Sequence, residues 1–170
     1  MPAARAFGPR FGGGSLFYLS ARGSDDGLWR LRNGEPVEVR RGIDEPLSEP
    51  PAVSRDGQRV AVITRRQGKR ALAVMAADGT SSQTLTTSID VQGAAGQGIA
   101  DWSPDGKWIV IGGSDASGPA LFKLPVDGGI PIRLVEGEAV NPVWSPAGDL
   151  IVYAGPMSAG QVTLAAVRPN

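Results

Sequence analysis

Three serines stand at the head of tight turns: Ser54, Ser103 and Ser145. Two of them are followed two residues later by an aspartate, Asp56 and Asp105. A serine can act as a nucleophile and a carboxylate as a base, provided that a partner carries the proton. The chain contains no histidine and no cysteine. That removes imidazole bases, thiolate chemistry, disulfides and zinc–thiolate sites together. No Ser-x-x-Lys or Gly-x-Ser-x-Gly context surrounds any serine. The serines and aspartates therefore read as turn residues that hydrogen-bond neighbouring backbone.

Other arrangements fall short of a site for similar reasons. Asp25-Asp26, between Gly23 and Gly27, lacks the Asp-x-Asp-x-Asp-Gly spacing of a calcium loop. The segment Gly93-Ala94-Ala95-Gly96-Gln97-Gly98 resembles a phosphate loop without its Lys-Ser/Thr ending or a following helix. No metal and no cofactor is expected. Arg65-Arg66 with Lys69-Arg70 is the densest basic cluster. It reads first as a solvated hairpin and second as a contact for an acidic partner; without interleaved aromatic residues it does not point to nucleic acid. Formal net charge is zero, yet residues 1–70 hold 13 Arg/Lys against 8 Asp/Glu, and residues 71–170 hold 4 against 9.

The elements that must position these residues form a repeat. Trp102-Ser103-Pro104-Asp105-Gly106 precedes Lys107–Ile111, and Trp144-Ser145-Pro146-Ala147-Gly148 precedes Asp149–Tyr153. Val53-Ser54-Arg55-Asp56-Gly57 precedes Gln58–Ile63, and Phe11-Gly12-Gly13-Gly14 precedes Ser15–Leu19. The turn glycines Gly14, Gly57, Gly106 and Gly148 are 43, 49 and 42 residues apart. A period of this size with four short strands per unit marks a β-propeller. Proline presets the turn and glycine accepts a positive φ, so each turn is locally encoded. A second turn per unit falls at Asn33-Gly34, Asp78-Gly79 and Asp127-Gly128.

The expected fold is all-β: a propeller of four-stranded antiparallel blades, about four of them, the last incomplete. The blades are expected at about 7–40, 50–86, 99–135 and 140–168, each with strands A to D from the axis outward. The fourth lacks strand D, because the chain ends at Asn170 where its turn glycine would fall. Strand B is apolar on both faces (Ile109-Val110-Ile111, Ile151-Val152-Tyr153), as a strand between stacked sheets should be. Phe11, Trp102 and Trp144 are expected to pack between blades.

The W-S-P-D-G turn, the Ile-Val-Ile strand, Leu121-Phe122-Lys123-Leu124, Asp127-Gly128 and Ile132-Arg133-Leu134 together resemble the TolB-like β-propeller repeat, a relative of the WD type. The resemblance covers nearly the whole chain. It implies a bacterial protein and a non-catalytic binding or sensory module in the periplasm or another extracytoplasmic setting. Prolyl-oligopeptidase-type peptidases carry similar propellers, which gate a catalytic domain; that reading stays open, as does a structural array that self-associates. Such propellers usually have six or more blades, so three arrangements are open here. The chain is part of a larger propeller, two copies complete a ring as a homodimer, or Ala3–Phe7 supplies the missing strand of the fourth unit.

Residues 1–20 do not read as a secretory signal, because Gly and Arg interrupt every apolar stretch. No run approaches the ~20 apolar residues of a membrane helix, so membrane insertion is not expected. In a propeller the A–B and C–D turns lie on one face. The B–C loops and D–A connections lie on the other, where partners, whether protein or small ligand, are expected. Asp101 and Asn141, entering strand A, are expected near the channel mouth. Arg65 and Arg66 fall on the B–C loop of unit two and Asp115 on that of unit three. These five are the candidate partner-binding residues; none is expected to be catalytic.

Overall fold

A computed structural model describes residues 5–21, 27–41, 47, 49–66, 68–86, 88–93 and 98–170. Asp25 and Asp26, Ala3 and Ala4, and residues 94–97 of the glycine-rich segment lie outside the described residues. The strands form four antiparallel sheets in chain order. The first sheet holds β1 (Arg5–Gly12), β2 (Ser15–Ala21), β3 (Gly27–Arg32) and β4 (Glu35–Arg41). The second holds β5 (Ala52–Val53), β6 (Arg59–Arg66), β7 (Lys69–Ala76) and β8 (Gln83–Thr84). In the third are β10 (Ala100–Trp102), β11 (Trp108–Asp115), β12 (Gly118–Pro125) and β13 (Ile132–Glu136). A short extra strand, β9 (Asp90–Gln92), pairs with the far end of β11. The fourth holds β14 (Val140–Trp144), β15 (Ile151–Ser158) and β16 (Gln161–Val167). The chain is all-β, and its sheets are the blades of an incomplete propeller.

The turns between the first two strands of a blade form as their residues dictate. In the second blade Ser54 Oγ donates to Asp56 Oδ1 at 2.6 Å, while the Arg59 N–H donates to Ser54 Oγ at 2.9 Å. The third blade repeats both bonds: Ser103 Oγ to Asp105 at 2.6 Å, and the Trp108 N–H to Ser103 Oγ at 2.9 Å. In the fourth, Ala147 stands at the aspartate position, and Ser145 Oγ donates instead to Asp149 at 2.7 Å. The turn-residue reading of Ser54, Ser103, Asp56 and Asp105 holds. Gly57 is required twice over. Its φ is +69°, and a Cβ there would lie 2.5 Å from the Gly12 carbonyl oxygen of the neighbouring blade.

Blades stack through apolar side chains that recur at equivalent register. Phe17, Leu19 and Leu28 of the first blade meet Val60, Val62 and Met75 of the second. Ile63, Leu72 and Val74 of the second meet Trp102, Ile109, Ile111 and Phe122 of the third. Val110 and Leu121 of the third meet Trp144 and Ile151 of the fourth. Each such burial contributes about 1.5–3 kcal/mol. At the last junction Gly112 lets the backbones approach: a Cβ would lie 2.1 Å from the Ala139 carbonyl oxygen.

Four readings are corrected. Phe11 is 80% exposed, whereas Trp102 and Trp144 are buried; no described blade covers the first blade on that side. Val152 is 40% exposed and Tyr153 half-buried, because the fourth blade also lacks a neighbour on one side. Arg5, Ala6 and Phe7 pair with Ala21, Ser20 and Leu19 of β2. They extend the hairpin across Gly13-Gly14 as the first strand of blade one, so they are not the outer strand of blade four. The connections expected as B–C loops are also shorter than loops. β6 and β7 pair out to Arg66–Lys69, and β11 and β12 pair out to Asp115–Gly118.

Candidate functional site

The innermost strands converge on a cavity of about 280 Å³ lined by Arg55, Asp101, Trp102, Ser103, Trp144 and Pro146, among others. Short A–B turns after β5, β10 and β14 bring these residues together from the second, third and fourth blades, so the cavity opens on the turn face and not on the loop face where the sequence placed partners. Arg55 Nη1 donates to the Pro146 carbonyl at 3.5 Å, reaching from the second blade to the fourth.

Asp101 is the polar centre of this mouth. Its Oδ1 accepts the N–H of Trp102 at 2.9 Å, and its Oδ2 accepts the N–H of Trp144 at 2.7 Å. Burial pushes its carboxyl above the ordinary value; the two N–H donors and the charge of Arg10 act in the opposite direction. Arg10 opposes Phe17 and Asp101 opposes Val110, each one residue before the position that starts the turn. By the same register Ala52 and Val143 occupy that position in the other two blades. Alternate blades thus contribute a cation and an anion to the axis.

The indoles fix the frame. Trp102 Nε1 donates to the Ala52 carbonyl at 3.0 Å, tying the third blade to the second. The Arg59 guanidinium lies 5.3 Å from the Trp102 ring centre and donates to the Gly106 carbonyl at 2.6 Å. Trp144 Nε1 donates to the Gly148 carbonyl at 3.2 Å.

The five sequence candidates do not converge. Only Asp101 lines the axial cavity. Asn141 lies in β14 with a φ of +52°, where the pairing with β15 slips between Val140 and Val143. Arg65 lines a separate depression of about 330 Å³ with Arg70, Asp90 and Gln92. Arg70 itself is held by the buried Glu49 at 3.0 Å and by the Gly93 carbonyl at 3.1 Å. The Arg66 side chain lies outside the described residues. Asp115 accepts from Arg133 Nη1 at 2.6 Å and from the Ser117 N–H at 2.8 Å; these bonds hold its carboxyl below the ordinary value, Arg133 first among the causes. Arg10, Arg55 and Pro146 were not singled out by sequence. Their only signal was position, beside the turn that begins each repeat.

The serine hydroxyls at the mouth are engaged by carboxylates of their own turns. Ser103 donates its hydroxyl proton to Asp105 and Ser145 donates to Asp149. Those serine hydrogen bonds hold both carboxyls below their ordinary values, which makes them poorer bases. Among the described residues no group of three acidic side chains is placed to hold a metal ion.

The fold has close counterparts among solved structures. TolB from Acinetobacter baumannii superposes with a TM-score of 0.77 at 16% identity, covering 96% of this chain and 41% of that one. The β-propeller domain of the trilobed protease from Pyrococcus furiosus, described as an open velcro topology, gives 0.68 at 14% identity, with 98% and 55% covered. A prolyl endopeptidase gives 0.72 at 14% identity, with 98% and 28% covered. The chain therefore spans less than half of the TolB chain and little more than a quarter of the peptidase. At these identities the likeness shows the fold alone. No curated protein matches the chain. A family model described as the lipoprotein LpqB β-propeller domain matches residues 36–163. That match covers most of the chain, which accordingly belongs to the LpqB β-propeller domain family, within the TolB-like propellers.

Proposed function

We propose that this chain is part of an extracytoplasmic TolB-like propeller that binds a partner, without catalysis, at the mouth of its axis. The observation that supports this most is the cavity lined by Arg55 and Asp101, a guanidinium and a carboxylate from neighbouring blades, while the turn serines are tied to their own carboxylates. A propeller mouth of this kind suits a protein segment or small ligand that offers a charged group to the axis. Extracytoplasmic placement is supported by the family, whose description names a lipoprotein. Likeness to a prolyl endopeptidase supports a second reading, in which the blades gate a catalytic domain carried elsewhere in a longer chain.

Site-specific photocrosslinking tests the binding role. A crosslinker at Arg55 should capture a discrete partner in the native host, whereas one at Asn33, on an outer turn of the first blade, should not. Equal adducts from both positions, or none from either, would contradict the proposal. Hydrolysis of prolyl peptides by the full-length gene product would favour the peptidase reading instead.

A further inference from the structure

The polar groups at the mouth of the axis are not equally committed. Asp101 is engaged by backbone: one carboxylate oxygen accepts the N–H of Trp102 and the other that of Trp144. Both indole N–H groups that border the cavity are taken too, by the carbonyls of Ala52 and Gly148. Ser103 and Ser145 donate to Asp105 and Asp149. Arg55 differs. It is exposed, and the hydrogen bond described for its side chain is a long one, 3.5 Å, to the uncharged Pro146 carbonyl. Its backbone is anchored, because the Gly13 N–H donates to the Arg55 carbonyl at 3.3 Å. A guanidinium carries several N–H donors in a planar fork, so most of those on Arg55 stay open to a ligand. Arg10 adds a second positive charge near the axis. Its guanidinium donates to the Pro9 carbonyl at 2.9 Å, and its charge acts on Asp101.

We infer that the mouth recognises a carboxylate carried by a protein segment, a glutamate side chain or a chain end, and that Arg55 binds it through its guanidinium. This rests on the binding role proposed above and names the chemistry of the group that enters. A carboxylate takes two parallel N–H bonds from a guanidinium, which gives both strength and orientation. A cationic group would meet two arginines and a carboxylate whose oxygens already hold backbone N–H groups. Size favours part of a segment over a whole small ligand. The cavity of about 280 Å³ falls below the range of small-molecule pockets, about 300–1,000 Å³. Val53, Trp102, Pro104, Trp144 and Pro146 give it apolar walls. A short methylene stem packs against them while its head group meets Arg55.

The indole proton–nitrogen resonances of the 170-residue chain, followed during titration with short peptides, test this. Trp102 and Trp144 border the cavity, whereas Trp29 does not and serves as the internal control. The probes are an acetylated and amidated Gly-Glu-Gly, an acetylated Gly-Gly-Gly with a free carboxyl end, and an acetylated and amidated Gly-Lys-Gly. One or both carboxylate peptides should move the Trp102 and Trp144 signals in a saturable way and leave Trp29 unmoved; the tighter of the two identifies side chain or chain end as the source. The lysyl peptide should move neither. Arg55→Gln should weaken carboxylate binding by about 10-fold or more, and Arg55→Lys should recover part of the loss. Arg55 is exposed, so both variants should keep the far-ultraviolet circular dichroism of the wild type. No saturable shift with either carboxylate peptide would overturn the inference. So would a lysyl peptide that binds as tightly, or carboxylate binding that Arg55→Gln leaves unchanged. A discrete partner crosslinked at position 55 alongside any of these results would keep the binding role and remove only its carboxylate chemistry.

Discussion

The carboxylate of Asp101 accepts the backbone N–H of Trp144 at 2.7 Å, joining the innermost strand of the third blade to that of the fourth. Together with the Trp102 indole bond to the Ala52 carbonyl, it ties three blades side by side at the axis. Asp101→Ala leaves a buried N–H unpaired and should cost about 1–3 kcal/mol. Asp101→Asn keeps one acceptor oxygen and should cost less. Urea unfolding of the two variants would rank them, and equal stability of wild type and alanine variant would show that the bond contributes nothing.

Asp101 also has a pH signature. Its carboxyl is raised by burial, so between 3.8 and the raised value the folded chain binds more protons than the unfolded one. Its contribution to stability therefore falls as pH rises through that window. Asp56 and Asp105, held low chiefly by Ser54 and Ser103, act oppositely. Their contribution is present above the ordinary value and is lost as pH falls through the lowered ones. The stability of wild type relative to D101N should decline as pH rises from 3.8. A flat or rising difference in urea midpoints would contradict this.

Leu121 and Leu164 occupy one repeat position in opposite environments. Leu121→Ala should cost about 2–5 kcal/mol. Leu164→Ala, measured on the dilute chain, should stay within about 0.5 kcal/mol of wild type. Comparable losses in denaturant unfolding would mean that Leu164 is covered.

Gly112 is a matter of space rather than of backbone conformation. Gly112→Ala would drive a methyl group into the Ala139 carbonyl, and the third and fourth blades would have to separate. A cost of about 1–3 kcal/mol is expected, read as a lowered thermal midpoint. An unchanged midpoint would show that the junction can yield.

Much of the fold was legible because the turns are chemically local. Ser54, Asp56, Ser103 and Asp105 bond within a few residues of themselves, so their sequence alone foretells the geometry. The all-β class and the four-stranded antiparallel blades followed from the same signals. What sequence concealed depends on neighbours. Phe11 reads like Trp102, and only the missing blade beside it makes it exposed. β9 has three residues and takes its definition from β11, so no periodicity could announce it. At the site, Asp101 was visible as a charge entering an inner strand. Arg10 and Arg55 were hidden, because their approach to the axis is set by blades far apart in sequence.

Four repeats stack into an open array in which the second and third blades are covered on both faces. Hydrogen exchange of the dilute chain, resolved by strand, tests it most directly. The slowest amides should lie in β6, β7, β11 and β12, with β15 and β16 exchanging far sooner. Protection of β15 and β16 equal to that of β11 would mean that the fourth blade is covered on both faces.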